Sequence, residues 1–173
     1  HEDNCRLAFQ LFLFGQSGQR LGTERILIPI SNPQTMPQLL DISNLVKPRN
    51  NKTLYAIKIN SDPEDSSGAK LLENAAKLAS ATDNKLVQIM KCDLNISNCI
   101  IDTVQSNKIT DLIVGIHHKA NIVDTFLGGT ITSLINGTSN QNLIIYGPKK
   151  PINAIKRLIV AVPQMAELEV GFD

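Results

Sequence analysis

Few residues in this chain are of types that do chemistry, and they are scattered. Two adjacent histidines, His117 and His118, stand in the stretch GIHHKANIVDTFLGGTITS that opens at Gly115. Neighbouring histidines in one loop do not converge readily on one ion, and no Cys or acidic residue is spaced to help them hold a metal. The Gly128-Gly129 pair in the same stretch admits two uses: a tight helix entry with close packing, or a ligand role. Three cysteines, Cys5, Cys92 and Cys99, show no C-x-x-C spacing. That argues against a disulfide framework and a zinc knuckle, and it fits a reducing compartment. No sequence neighbour marks any of them for a lowered pKa, and Cys99 falls on the inward face of a predicted helix. No acidic residue follows the first regular apolar run, where Ile30, Ser31 and Asn32 stand, so a phosphoacceptor site is not indicated. A P-loop, a G-x-S-x-G elbow, an H-E-x-x-H helix and an H-x-G-H motif are all missing from the sequence. The expectation is a protein that acts by binding and is not an enzyme.

Composition supports a folded domain. The chain has 173 residues, of which 42% are hydrophobic and 19% charged. That length buries enough surface to fold without disulfides or metals. Lys plus Arg number 17 and Asp plus Glu 16, with two Tyr, five Phe and no Trp. A near-neutral chain so poor in stacking aromatics is a poor candidate for a nucleic-acid binder, and no nucleic-acid partner is expected. No apolar run reaches the ~18 residues needed to cross a bilayer. The stretch from Leu7 to Phe14 is too short and carries Gln10. N-x-S/T triplets at Asn51, Asn95 and Asn136 are what an Asn-rich chain produces by chance.

The elements that must position any site are legible from about residue 24 onward. Residues 1–23 read as a linker or the end of an upstream region, with GQSGQRLGT flexible and Cys5 to Phe14 a short packing element or the frayed end of an upstream domain. Apolar runs predict strands over Arg25–Ile30, Thr53–Ile59, Lys85–Lys91, Asp111–Ile116 and Asn142–Tyr146. Helical spacing predicts helices from a Thr35 cap to Val46, over Ala69–Ala81, over Ile96–Asn107 and from Gly128 to Gly137. Strands that alternate with helices imply a doubly wound, parallel five-stranded α/β sheet with helices on both faces. Ligands bind such sheets beyond the carboxyl ends of the strands where strand order reverses, here between the first and fourth. The tips to inspect are Ser31–Pro33 and Gly115–Thr132. The run RLIVAV at Arg157–Val162 repeats RILIPI at Arg25–Ile30 about one domain length later. It reads as the first strand of a truncated second copy within 149–173, or as a sixth strand of the same sheet.

Over Glu24–Pro148 the sequence resembles the universal stress protein family. Four features carry the resemblance: an opening strand ending in Ile-Pro, the five-strand alternation, a fourth strand of D-L-I-V-G type, and a later Gly before the last helix. The family implies a Rossmann-like sheet of order 3-2-1-4-5, of adenine nucleotide alpha hydrolase type. Its ATP-binding members carry G-x-x-G, nine residues, then G-S or G-T, which brings backbone N–H groups and a helix start to the phosphates. Here Gly115 and Gly128 keep two of those glycines, His118 stands at the other, and Gly129 replaces the Ser/Thr, with Thr130 one position later. Ser31 stands where ATP binders tend to be acidic, and Lys58 at the position beside adenine. A His118 side chain would fill phosphate space unless its backbone bends outward. The implied ligand residues are Ser31, Lys58, Gly115, His117, His118, Asn121, Gly128, Gly129 and Thr130, with ATP or another adenine nucleotide as ligand. The resemblance also implies pairing through the last strand, Asn142–Tyr146, in a homodimer or within a tandem; Arg157–Val162 could add to that edge. The tandem arrangement resembles the cytosolic C-terminal region of bacterial cation/proton antiporters, with an inner-membrane transporter domain upstream as partner. The other reading is a free-standing stress protein that serves as a pairing module without nucleotide.

Overall fold

The structure is a computed structural model and describes residues 24–116 and 129–148, together with the backbone of residues 9–14. The five expected strands and four helices are present, preceded by a sixth strand. In chain order they are β1 (Phe9–Phe14), β2 (Ile26–Pro29), α1 (Met36–Val46), β3 (Thr53–Asn60), α2 (Ser67–Ala81), β4 (Lys85–Cys92), α3 (Ile96–Ser106), β5 (Asp111–Gly115), α4 (Gly129–Gly137) and β6 (Asn142–Pro148). The sheet order is β1-β6-β5-β2-β3-β4. Numbered without β1, the five parallel strands run 3-2-1-4-5, as expected. β1 is antiparallel to β6, in register from Phe9 opposite Pro148 to Phe14 opposite Leu143.

Both faces of the sheet are covered, which is why its strands read as continuous apolar runs. One face carries Ile26, Ile28, Leu54, Ala56, Ile113, Ile144 and Tyr146 against Leu39 and Leu40 of α1 and Leu71, Leu72 and Ala75 of α2. The other carries Leu27, Ile57, Leu112, Leu143 and Ile145 against Cys99, Ile100 and Val104 of α3 and Ile131 and Leu134 of α4. Ser43, Thr103 and Thr138 are polar yet buried. Each hydroxyl donates to the carbonyl four residues back, at 2.6, 2.7 and 2.7 Å, so no donor is stranded.

Two expectations change. Thr35 occupies the N-cap position of α1, but its side chain makes no cap bond. Its hydroxyl donates instead to the Asn32 carbonyl at 3.4 Å, while the Asn32 side chain accepts from the Gln34 N–H at 2.7 Å. The last-strand edge expected for pairing is not open, because β1 lies along it. That strand falls within Cys5–Phe14, expected as a short packing element or the frayed end of an upstream domain: FQLFLF has five apolar residues of six, and β6 offers its backbone a ladder. Arg157–Val162 lies outside the described residues.

Candidate functional site

The sheet is pinned at one end and open at the other where its order reverses. At the start of the strands the Arg25 N–H donates to Thr110 Oγ1 at 2.9 Å, and the Thr110 and Asp111 N–H groups donate back to the Arg25 carbonyl. The buried Asp111 carboxylate accepts from Thr110 Oγ1 at 2.6 Å and from Asn142 Nδ2 at 2.9 Å. β2 and β5 then stay in register for two positions, Ile26 opposite Asp111 and Leu27 opposite Leu112. By contrast, β3 and β4 run together from Thr53 opposite Lys85 to Asn60 opposite Cys92.

Proline explains the parting. The Ile30 N–H donates to the Ile57 carbonyl on β3 at 2.8 Å. Backbone N–H groups alternate in direction along a strand, so the nitrogen of Pro29 faces β5 with no hydrogen to give. The result is a split between β2 and β5 toward their carboxyl ends, the switch point where α/β sheets take ligands.

Ser31 is exposed just after β2, Gly115 ends β5, and Gly129 and Thr130 are exposed at the start of α4. The two glycines differ in kind. A Cβ on Gly115 would meet Leu39 Cδ1 at 3.0 Å and Cδ2 at 3.1 Å, so its missing side chain is filled by α1. Among the described residues, a Cβ on Gly129 would meet nothing within 4 Å. The first-turn N–H groups there have no partners within the helix and carry its positive dipole end. The arrangement can receive an anion beside Gly129 and Thr130.

Lys58 is set apart from these residues. It lies on the α1/α2 side of the sheet, its Cγ 2.9 Å from where a Cβ on Gly68 would be, whereas α4 packs on the opposite face. Its ammonium helps hold the Asp65 carboxyl below the ordinary range, after the larger effects of hydrogen bonds from the Ser67 side chain and backbone. His117, His118, Asn121 and Gly128 lie outside the described residues. The described residues thus put Ser31 after β2, Gly115 at the end of β5, and Gly129 and Thr130 at the start of α4, with Lys58 on the α1/α2 side of the sheet.

Sequence reasoning missed two residues beside Lys58. Asn60 is buried, its Nδ2 donating to the Asp65 carbonyl at 2.7 Å, and its Oδ1 is 2.9 Å from the Cβ position of Gly68. That contact seats the start of α2 on the end of β3; the signal for it is a Gly in the first turn after SDPEDSS. Cys99 is buried and its thiol is pushed up in pKa, first by desolvation. Among the described residues no three His, Cys, Asp or Glu side chains gather as metal ligands. No described helix is long and apolar enough to cross a membrane. The sequon residues have structural work: Asn51 Nδ2 donates to the Glu24 carbonyl at 2.8 Å, and Asn95 Oδ1 caps α3 by accepting from the Asn98 N–H at 3.0 Å.

This five-strand parallel architecture has the fold of universal stress proteins. The hypothetical protein MJ0577, described as a case of function assigned from structure, superposes with a TM-score of 0.60 at 17% identity, covering 74% of this chain and 98% of that one. A universal stress protein from Archaeoglobus fulgidus in complex with dAMP gives a TM-score of 0.52 at 13% identity, covering 73% of this chain and 99% of that one. A universal stress protein in complex with cAMP gives 0.54 at 14%, covering 71% and 95%. No family model matches the sequence, and no curated protein matches it. The likeness is one of fold.

Proposed function

We propose that this chain is a regulatory module of the universal stress protein type that binds an adenine nucleotide in the crevice between β2 and β5 and acts without catalysing a reaction. The observation that carries the reading is the split beside Pro29, where Ser31 follows β2; the room at Gly129 at the start of α4 supports it. Support comes from structural neighbours described as complexes with dAMP and cAMP. In this reading the phosphate rests against the first turn of α4, where Gly129 leaves room and Thr130 offers a hydroxyl. Gly115 lets β5 end close against Leu39. Such a ligand biases a partner only by its difference in affinity for two states. The partner we assign is the membrane part of a cation/proton antiporter joined upstream, or a second domain of the same type. That assignment is supported by the apolar restart at Arg157–Val162.

Isothermal titration of the full chain with ATP, ADP, AMP and cyclic nucleotides tests the site. Saturable binding is expected. Gly129→Glu is the discriminating variant. Its Cβ has room, and an acidic residue in the first turn favours the helix, so the fold is retained. The same charge repels phosphate, so affinity falls at least tenfold. Unchanged affinity in the Glu variant would remove α4 from the site, and no binding across the panel would leave a pairing module.

A further inference from the structure

The antiparallel strand β1 is the one described strand that does not belong to the five-strand parallel order. It lies in the part of the chain before Glu24, and MJ0577 is matched over 98% of its length while 74% of this chain is used. Among the described strands its only neighbour in the sheet is β6. Every other strand that touches β6 or β5 is held from both sides, whereas β1 is held by one ladder and joined to β2 through residues 15–25. β2 lies three places away across the sheet.

Beneath β1 lies a strand that is hazardous to expose. Leu143, Ile145 and Tyr146 are buried, and Leu143, Ile144 and Ile145 all belong to the core of one face or the other. An apolar strand with both faces buried and one edge of unpaired N–H and C=O groups is a template for another chain. Stripped of β1, the β6 edge carries no Lys, no Glu and no bulge over Asn142–Tyr146 to deter pairing. Antiparallel pairing needs only a second strand of the same kind. β6 of a second copy supplies it by a two-fold axis, with the same patch on both subunits. β1 already shows that this edge accepts an antiparallel strand over the whole stretch from Leu143 to Pro148.

We infer that β1 is a self-complementing edge guard, which occupies the place a second copy's β6 would take and so keeps the chain from associating through β6. Removing the guard converts the edge into a homotypic interface. This does not rest on nucleotide binding, and its test reads mass and amide exchange rather than ligand.

The test uses the full chain and the variant Leu11→Pro with Phe12→Pro. Backbone N–H groups alternate in direction along β1, so two adjacent prolines remove a bond to β6 whichever residue faces it. Sedimentation should give the mass of one chain for the unaltered protein and twice that mass for the variant, with the far-ultraviolet spectrum retained. A peptide of residues 6–16 added in excess should return the variant to the mass of one chain. A folded variant that stays at the mass of one chain overturns the inference. So does an unaltered chain that is dimeric and becomes monomeric in the variant, because that outcome puts the contact on the outer edge of β1. Hydrogen exchange on the unaltered chain keeps the inference testable if the variant fails to fold. Amides of residues 9–14 should exchange at least tenfold faster than those of Leu112–Val114. Equal protection would make β1 an integral strand and overturn the guard.

Discussion

Gly115 shows how a missing side chain can set packing. Its α-carbon closes β5 against Leu39, itself buried, with the Cδ atoms at the limit of contact for any added carbon. Gly115→Val forces Leu39 off its rotamer or shifts α1, an overpacking cost of about 1–3 kcal/mol. Denaturant unfolding should show the lowered midpoint with an unchanged slope. Asp83 gives a second prediction at this scale. It has φ 57°, and its carboxylate sits with Lys52 on an exposed turn. A hydrogen bond from Lys52, then its charge, holds the Asp83 carboxyl below the ordinary 3.8. A folded pKa that is depressed contributes stability above the unfolded value and loses it as pH falls through the folded one. Asp83→Asn tolerates the same backbone and removes only the charge. The wild type should therefore hold a small advantage above pH 3.8 that fades below it. Salt at 1 M should erase that advantage, because the pair is exposed.

Elements were legible where the period of apolar residues decides them. RILIPI, TLYAIKI, KLVQIMK, DLIVGI and NLIIY all became strands, with ends shifted by a residue or two: β3 runs on to Asn60 and β4 to Cys92, while β2 keeps only Ile26–Pro29 and β5 stops at Gly115. The parting of β2 and β5 was also written in the chain, in Pro29, once the direction of its neighbour's N–H is known. β1 was less legible. Its strand state depends on an edge at Leu143–Pro148, far away in sequence, and a short apolar run carries no mark of such a partner. The seating of α2 by Asn60 and Gly68 was hidden for the same reason, since a Gly in a Ser-rich stretch reads as loop. Local caps, by contrast, can be tested one helix at a time. Asn95 caps α3 through the Asn98 N–H. Asn95→Ala should cost about 1 kcal/mol. For a chain of this size that lowers Tm by about 2–4 °C. A melt unchanged by the substitution would show that Ser97 or water replaces the cap.

At the scale of the whole molecule, the two ends of the sheet have opposite tasks, and that division predicts how a ligand acts. The strand starts are closed by backbone pairs from Arg25 and by the buried Asp111, whose partners come from the end of α3's connection and from β6. The carboxyl ends are left apart. Under the proposed function, a ligand seated between β2 and β5 would join strands whose register covers two positions, Ile26 opposite Asp111 and Leu27 opposite Leu112. Binding to the folded state alone stabilises it by RT ln(1 + [L]/Kd), about 2.7 kcal/mol when ligand is at a hundredfold Kd. With about 2–4 °C per kcal/mol in this size range, saturating nucleotide should raise Tm by roughly 5–10 °C. Because the gain comes from bridging, amides of β2 and β5 beyond Leu27 and Leu112 should gain the most protection from exchange. The edge strand β4, which has no part in the crevice, should gain little. A Tm rise with protection spread evenly over the sheet would mean binding elsewhere. No rise at a concentration shown by calorimetry to saturate would mean that the unfolded chain binds as well as the folded one.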